Sequence, residues 1–397
     1  MKGPRDFLKL LHKAAASAEE WADEARYRAR REAGSGTPRQ IAAYQGYADA
    51  AGVHVAGRVL ASNPRGGPLD DDGWWDNLVN TWRRWESDEV PGAQVQLSFR
   101  GQEQQVVADE EGYYRASFPA PENEHDSLLW MTVEARTAAK GHAVVVANHD
   151  VVVPPPNAAF GIISDLDDTV LHTGITSILL AAKLTFLENA KTRKPLDGVA
   201  ELYKSLQQGR AGVAVNPIYY ISSSPWNLHD LLTDFLRLNE IPPGPLLLRD
   251  LGLDRTKFIK EKGHGHKRVK ALALIDGNPE LPFVLVGDSG QEDPGIYAGV
   301  AEERPGRIRA IYIRDVDPGM DSSFDEAVVH AKARAEALGV PMILARDSLM
   351  ISQHAEQIGL ISPAALDDVR AEVAADQNRP ETGEQAVKDA IESILPA

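Results

Sequence analysis

The chain has 397 residues, 43% hydrophobic and 25% charged, ordinary for globular material and long enough for two or three domains. Its 58 acidic against 42 basic residues give a formal charge of −16, which repels phosphate backbones and excludes general nucleic-acid binding; it also disfavours docking on anionic lipid unless a local basic patch compensates. With no cysteine, disulfides, thiolate metal sites and cysteine nucleophiles are all excluded.

Residues 1 to about 50 read as a helical segment, with Phe7, Leu8, Leu10 and Leu11 ahead of an Ala/Glu/Arg-rich stretch to Arg31 and a break at Gly34–Pro38. Lys2, Arg5, Lys9, His12 and Lys13 make its start basic and amphipathic, which suits packing on the body of the protein better than a surface membrane anchor. The N-terminus lacks the apolar core of a signal peptide, and no run approaches about 18 apolar residues. A cytoplasmic protein with no transmembrane segment is expected.

Residues 51–153 change character. Ala93, Val95, Leu97 and Phe99 alternate with Gln94, Gln96, Ser98 and Arg100, the period of a strand with one buried face. Asp109–Gly112 is a turn leading into Tyr113–Phe118, and Val53–Leu60, Leu128–Ala135 and Ala143–Val153 are further strands. Five or six such strands predict a small antiparallel β-sandwich. Within it, Trp74, Trp75, Trp82 and Trp85 fall at helical spacing with Arg83 and Arg84 beside them. That stripe suits packing on the sandwich first and a lipid–water boundary second.

Pro154-Pro-Pro156 is a stiff linker. From 154 to 372, apolar strands alternate with helices: Phe160–Ile163, Pro217–Ile221, Pro245–Leu248, Phe283–Val286, Ile308–Ile313 and Met342–Leu344. This pattern predicts a parallel sheet covered on both faces, hence an α/β fold. Residues 373–397 read as a polar tail.

The chemistry sits at the carboxyl ends of these strands, where ligands bind in open α/β sheets. Hydrolysis of a phosphate monoester by a carboxylate needs a nucleophile, a proton donor, groups for the phosphoryl oxygens, and a metal with its acidic ligand. Asp165 and Asp167, one residue apart after an apolar strand, supply nucleophile and acid/base, with Asp167 protonated in the first half of the cycle. A solvated turn is the plain alternative for such acids. Ser222, directly after the next strand, can hydrogen-bond a phosphoryl oxygen, and Ser223 and Thr169 are taken with it as substrate-binding candidates. In Gly263–Lys270, Lys267 is the preferred cation with Lys270 in reserve, while His264 and His266 form an incidental pair more often than a metal site. Asp288, after Gly287 at the end of a fourth strand, would bind a hard cation together with Asp165 and Asp167, and Asp293 would support it. All-oxygen ligation of this kind fits Mg²⁺.

These four elements resemble the motifs of the haloacid dehalogenase superfamily of phosphotransferases: Asp165-Leu-Asp167-Asp168-Thr169, Ser222, Lys267, and Gly287-Asp288 with Asp293. More narrowly, Ser164–Thr169, Ser222–Trp226, Leu247–Asp250 and Val286–Gln291 resemble the actin-patch-type phosphatidate phosphatase family, as a bacterial member. The resemblance covers about residues 155–315. It implies a Rossmann-like parallel sheet and Mg²⁺-dependent hydrolysis of phosphatidate to diacylglycerol and phosphate through an aspartyl-phosphate. Ser223 stands where asparagine is common in the family. Only about fifty residues separate the first motif from the second and the second from the third, which leaves no room for a large cap, although Thr173–Leu187 can form a helical flap. An uncapped site admits a phosphate on a bulky body, so the expected partner is a phospholipid at a membrane surface, with peripheral association of the protein. The alternatives are a phosphatase for phosphoproteins or small metabolites, and a non-catalytic module that binds a phosphorylated ligand.

Overall fold

The computed structural model describes residues 38–62, 89–121, 125–166, 197–249, 265–316 and 323–377. The expected N-terminal helix up to residue 37, the tryptophan stripe, the 173–187 flap and the site candidates Asp167, Thr169 and His264 lie outside them. The described residues fall in two compact units, the first comprising segments up to Tyr44, His54–Phe118 and Thr132–Asp150, the second Gln45–Val53, Pro119–Met131 and everything from Val151.

The strands before the linker are β1 (Arg39–Ala43), β2 (Gly46–Asp49), β3 (Gly52–Ala61), β4 (Gln94–Phe99), β5 (Gln102–Val107), β6 (Tyr113–Phe118), β7 (Leu129–Thr137) and β8 (Val145–Val153). In the first unit β1 lies antiparallel to β3, and β4 antiparallel to both β5 and β7, while β6 pairs with β3. The alternation in β4 buries Val95, Leu97 and Phe99, as its period requires. His149 is a satisfied core histidine: its Nδ1 donates to the Tyr44 carbonyl at 2.9 Å, leaving Nε2 to accept from the Tyr114 hydroxyl at 2.9 Å.

One expectation is corrected here, and one strand was not foreseen. The end of the supposed helical segment is strand: β1 and β2 occupy residues 39–43 and 46–49. Strand β5 has no apolar alternation of its own, since Gln102-Glu-Gln-Gln105 is polar throughout, and it is set by the two-residue turn before it. Arg100 and Gly101 take φ of 50° and 80°, the backbone of a type I′ hairpin whose twist matches the flanking strands.

In the second unit β9 (Gly161–Asp165), α1 (Val199–Gln208), β10 (Ile218–Pro225), α2 (His229–Leu238), β11 (Leu246–Arg249), α3 (Gly265–Gly277), β12 (Phe283–Asp288), α4 (Asp293–Glu303), β13 (Ile308–Arg314), α5 (Ser323–Glu336), β14 (Met342–Ala345), α6 (Ser348–Gln357) and α7 (Pro363–Gln377) follow one another. The six strands form one sheet in the order β11-β10-β9-β12-β13-β14, parallel at every pairing. Alternate strand residues enter two separate cores. Ile162, Tyr220, Val284 and Tyr312 meet α1, α2, α6 and α7 on one face; Ile163, Tyr219, Leu285 and Ile311 meet α3, α4 and α5 on the other. Burial on both sides is why these strands read as unbroken apolar runs.

From β9 the chain builds outward through β10 to β11, then returns to place β12 on β9's other side. Reversal of strand order opens a crevice at the carboxyl ends of β9 and β12, the switch point where α/β sheets bind ligands.

The polar tail begins later than residue 373. Val373 and Asp376 are buried within α7, and the Asp376 Oδ2 accepts the Gly198 N–H at 2.9 Å while the Glu372 Oε2 accepts the Glu201 N–H at 2.7 Å. Gly198, in left-handed backbone with φ of 72°, supplies no side-chain cap for α1, so carboxylates from α7 fill that role.

Candidate active site

Asp165 is the last residue of β9 and Asp288 the last of β12, so parallel pairing of these adjacent strands delivers both carboxylates to the switch point. Asp293 opens α4, five residues on. One carboxylate oxygen from each of Asp165, Asp288 and Asp293 lies within 4.8 Å of the others, and all three side chains are buried. Among the described residues this is the cluster able to hold a metal ion, and it contains no histidine.

Lys267 enters from the first turn of α3, fully buried, and its Nζ lies 2.8 Å from Asp165 Oδ1 and 2.7 Å from Asp293 Oδ1. Burial alone would lower its pKa, but the charges and hydrogen bonds of Asp165 and Asp293 outweigh that and hold it above the ordinary lysine range. It therefore stays cationic through neutral pH. Lys270, the reserve candidate, points elsewhere: its Nζ donates to the carbonyls of Leu247 and Leu248 at 3.1 and 2.5 Å, at the end of β11.

Asp293 has both oxygens engaged, Oδ1 with Lys267 and Oδ2 accepting the Asp288 N–H at 3.4 Å. It thus buttresses the lysine and the backbone that carries Asp288. Gly287 makes this approach possible. A Cβ there would stand 2.7 Å from Asp293 Oδ2, 2.8 Å from Tyr297 Cε2 and 2.9 Å from Asp293 Cβ, and Tyr297 is pinned by donating to the Val286 carbonyl at 3.1 Å. Gly287→Ala is expected to cost about 1–3 kcal/mol of stability by overpacking and to displace Asp293. The urea midpoint is the check, and a variant matching wild type would mean that the crevice has slack here.

Ser222 is buried one position beyond Ile221, the residue that pairs with Asp165 across β9 and β10. From Ile221 to Pro225 β10 advances four positions while β11 advances two, from Leu247 to Arg249, so the serine run bulges out of the ladder. The bulge is tied by the Ser224 N–H donating to Ser222 Oγ at 2.9 Å. Ser223, half-buried, has its hydroxyl 3.5 Å from Nε2 of His266, which places His266 beside the bulge.

The structure thus brings together Asp165, Lys267, Asp288 and Asp293 and sets Ser222 on the neighbouring strand. Gln291 is an addition that sequence reasoning missed: its Oε1 accepts from Lys267 Nζ at 3.1 Å. Its place between Asp288 and Asp293 was the available signal.

Residues 160–315 match the family model of the phosphatidate phosphatase APP1 catalytic domain. The chain is 33% identical over 173 residues to phosphatidate phosphatase APP1 of Saccharomyces cerevisiae, an alignment covering 43% of this chain and 28% of that one. It is 31% identical over 156 residues to an uncharacterised protein of Schizosaccharomyces pombe, covering 39% and 25%. The chain therefore spans about a quarter of the length of these curated relatives. A solved carbohydrate acetylesterase from Xanthomonas citri aligns over 79% of this chain and 72% of its own at 12% identity and a TM-score of 0.28, too low to carry an argument. Among the described residues no helix is long and apolar enough to cross a membrane. The segment that matches, residues 160–315, is the one that holds Asp165, Ser222, Lys267, Asp288 and Asp293, and over it the chain is similar to the phosphatidate phosphatase APP1 catalytic domain.

Proposed function

We propose that this protein is a Mg²⁺-dependent phosphatase of the haloacid dehalogenase type that hydrolyses a phosphomonoester through an aspartyl-phosphate, with phosphatidate as its substrate. The observation that supports this best is the meeting of three buried carboxylates and one buried lysine at the switch point of a parallel sheet. Such a group is costly to bury, so its retention needs a reason beyond stability.

The donor set fits the metal. Carboxylate oxygens without sulfur or nitrogen suit a small hard cation, and Asp165 and Asp288 would hold it, with Asp167 completing the set and Asp293 in support. When bound, Mg²⁺ would offset the repulsion between anionic nucleophile and anionic phosphate.

The chain's own residues do the rest. An Asp165 carboxylate oxygen attacks phosphorus as the ester P–O bond breaks, and Asp167 gives its proton to the leaving alkoxide. Asp167 then takes a proton from water as that water attacks the aspartyl-phosphate, releasing phosphate and restoring both acids. Lys267 supplies fixed positive charge beside the nucleophile, and Asp293 with Gln291 holds its ammonium in place. Ser222, Ser223 and Thr169 donate to the phosphoryl oxygens.

The lipid assignment draws on the named yeast relative and on the short spans between motifs, which favour an open site. Phosphate release from phosphatidate micelles and from an aryl phosphate, with Mg²⁺ or with EDTA, tests it. Release from both with Mg²⁺ and from neither with EDTA is expected. Turnover of the aryl phosphate but never of the lipid would replace the lipid reading with a phosphatase for soluble substrates. Undiminished turnover in EDTA would remove the metal.

A further inference from the structure

We infer that Tyr203 and Ser164 are positioning residues that fix the peptide leaving β9, and with it the aim of Asp165. Ser164 and Asp165 are successive strand residues and face opposite sides of the sheet. Asp165 meets Lys267 of α3, whereas Ser164 meets Tyr203 of α1, in the other core. The Ser164 hydroxyl donates to the Asp165 carbonyl at 2.6 Å and lies 2.5 Å from the Tyr203 hydroxyl. A carbonyl only accepts, so the single serine proton is spent there and Tyr203 must donate to Ser164. Burial holds the Tyr203 phenol above its ordinary pKa, so it remains a neutral donor at working pH.

Pairing of β9 with β12 ends at Ser164 opposite Val286, and pairing with β10 ends at Asp165 opposite Ile221, where β10 bulges away. The peptide that follows Asp165 is held at both of its polar atoms: the Leu166 N–H donates to the Ile221 carbonyl at 3.1 Å, and the Asp165 carbonyl accepts from the Ser164 hydroxyl. That peptide sets how the chain leaves the nucleophile toward Leu166. Tyr203 is itself anchored, its ring stacked on Tyr220 at 6.1 Å and its helix held at the N-terminus by Glu372 and Asp376.

This inference rests on Asp165 being the nucleophile, so Asp165→Asn is measured alongside. Because small misplacements of a reacting group are expensive, Ser164→Ala should lower kcat about tenfold and Tyr203→Phe about threefold, with KM within about twofold of wild type. The double variant should be no slower than Ser164→Ala alone, since both act through one hydroxyl. Tyr203→Phe removes one oxygen and keeps the ring stack, so it reports on the contact should Ser164→Ala fold poorly. Wild-type kcat in Tyr203→Phe, multiplicative losses in the double variant, or a raised KM at unchanged kcat would each overturn the assignment. Activity in Asp165→Asn would instead sink the nucleophile reading beneath it.

Discussion

Asp165→Asn is expected to reduce phosphate release by roughly 10⁴-fold or more, the scale on which removal of a covalent nucleophile acts. The substitution is nearly isosteric and leaves Lys267 paired with Asp293, so the fold should survive it. Lost activity with a wild-type denaturation midpoint is therefore the predicted pattern. Residual activity within about tenfold of wild type would reassign the nucleophile, and a collapsed midpoint would mean that the side chain holds the crevice together rather than reacting in it.

Lys267→Met has the largest expected effect on stability. Wild type sets one buried ammonium against two buried carboxylates at 2.8 and 2.7 Å. Methionine fills much of the stem's volume but leaves Asp165 and Asp293 facing each other without a cation. Removing one partner of a buried ion pair costs about 3–5 kcal/mol, because the remaining charge stays desolvated and uncompensated. Urea denaturation should show a deficit of that size, accompanied by loss of phosphatase activity. Lys270→Met gives the contrast: it loses two hydrogen bonds to β11 carbonyls, worth about 1 kcal/mol each, and should retain most activity. Equal behaviour of the two variants would contradict the division of roles drawn between these lysines.

Much of the second unit was legible in the sequence because its strands are buried on both faces. A strand such as Phe283–Val286 can then only be an apolar run, and six such runs with helices between them announce a parallel sheet. Asp165, Asp288 and Asp293 were legible for the same reason, each lying at or just past the end of such a run, where a parallel sheet collects its chemistry, whereas Lys267 was read from its place at the start of a helix. What was hidden depends on contacts between distant segments. Strand β5 owes its place to the turn at Arg100-Gly101 rather than to its own side chains. Lys267 and Lys270 stand three positions apart on one helix, and only the packing of α3 decides which reaches Asp165 and which reaches β11. The last turn of α7 was read with the polar tail because the sequence turns polar around Asp376; in the fold Asp376 and Glu372 cap α1. Tyr203 had no motif to betray it, since its meaning comes from one hydroxyl on a strand about forty residues earlier.

The most direct measurement is acid quenching of the enzyme during turnover of phosphatidate with Mg²⁺, followed by peptide mapping of any phosphoryl adduct. An acid-stable phosphoryl group is expected on the peptide carrying Asp165, absent in Asp165→Asn. Turnover with the adduct on another residue, or with none on that peptide, would contradict it.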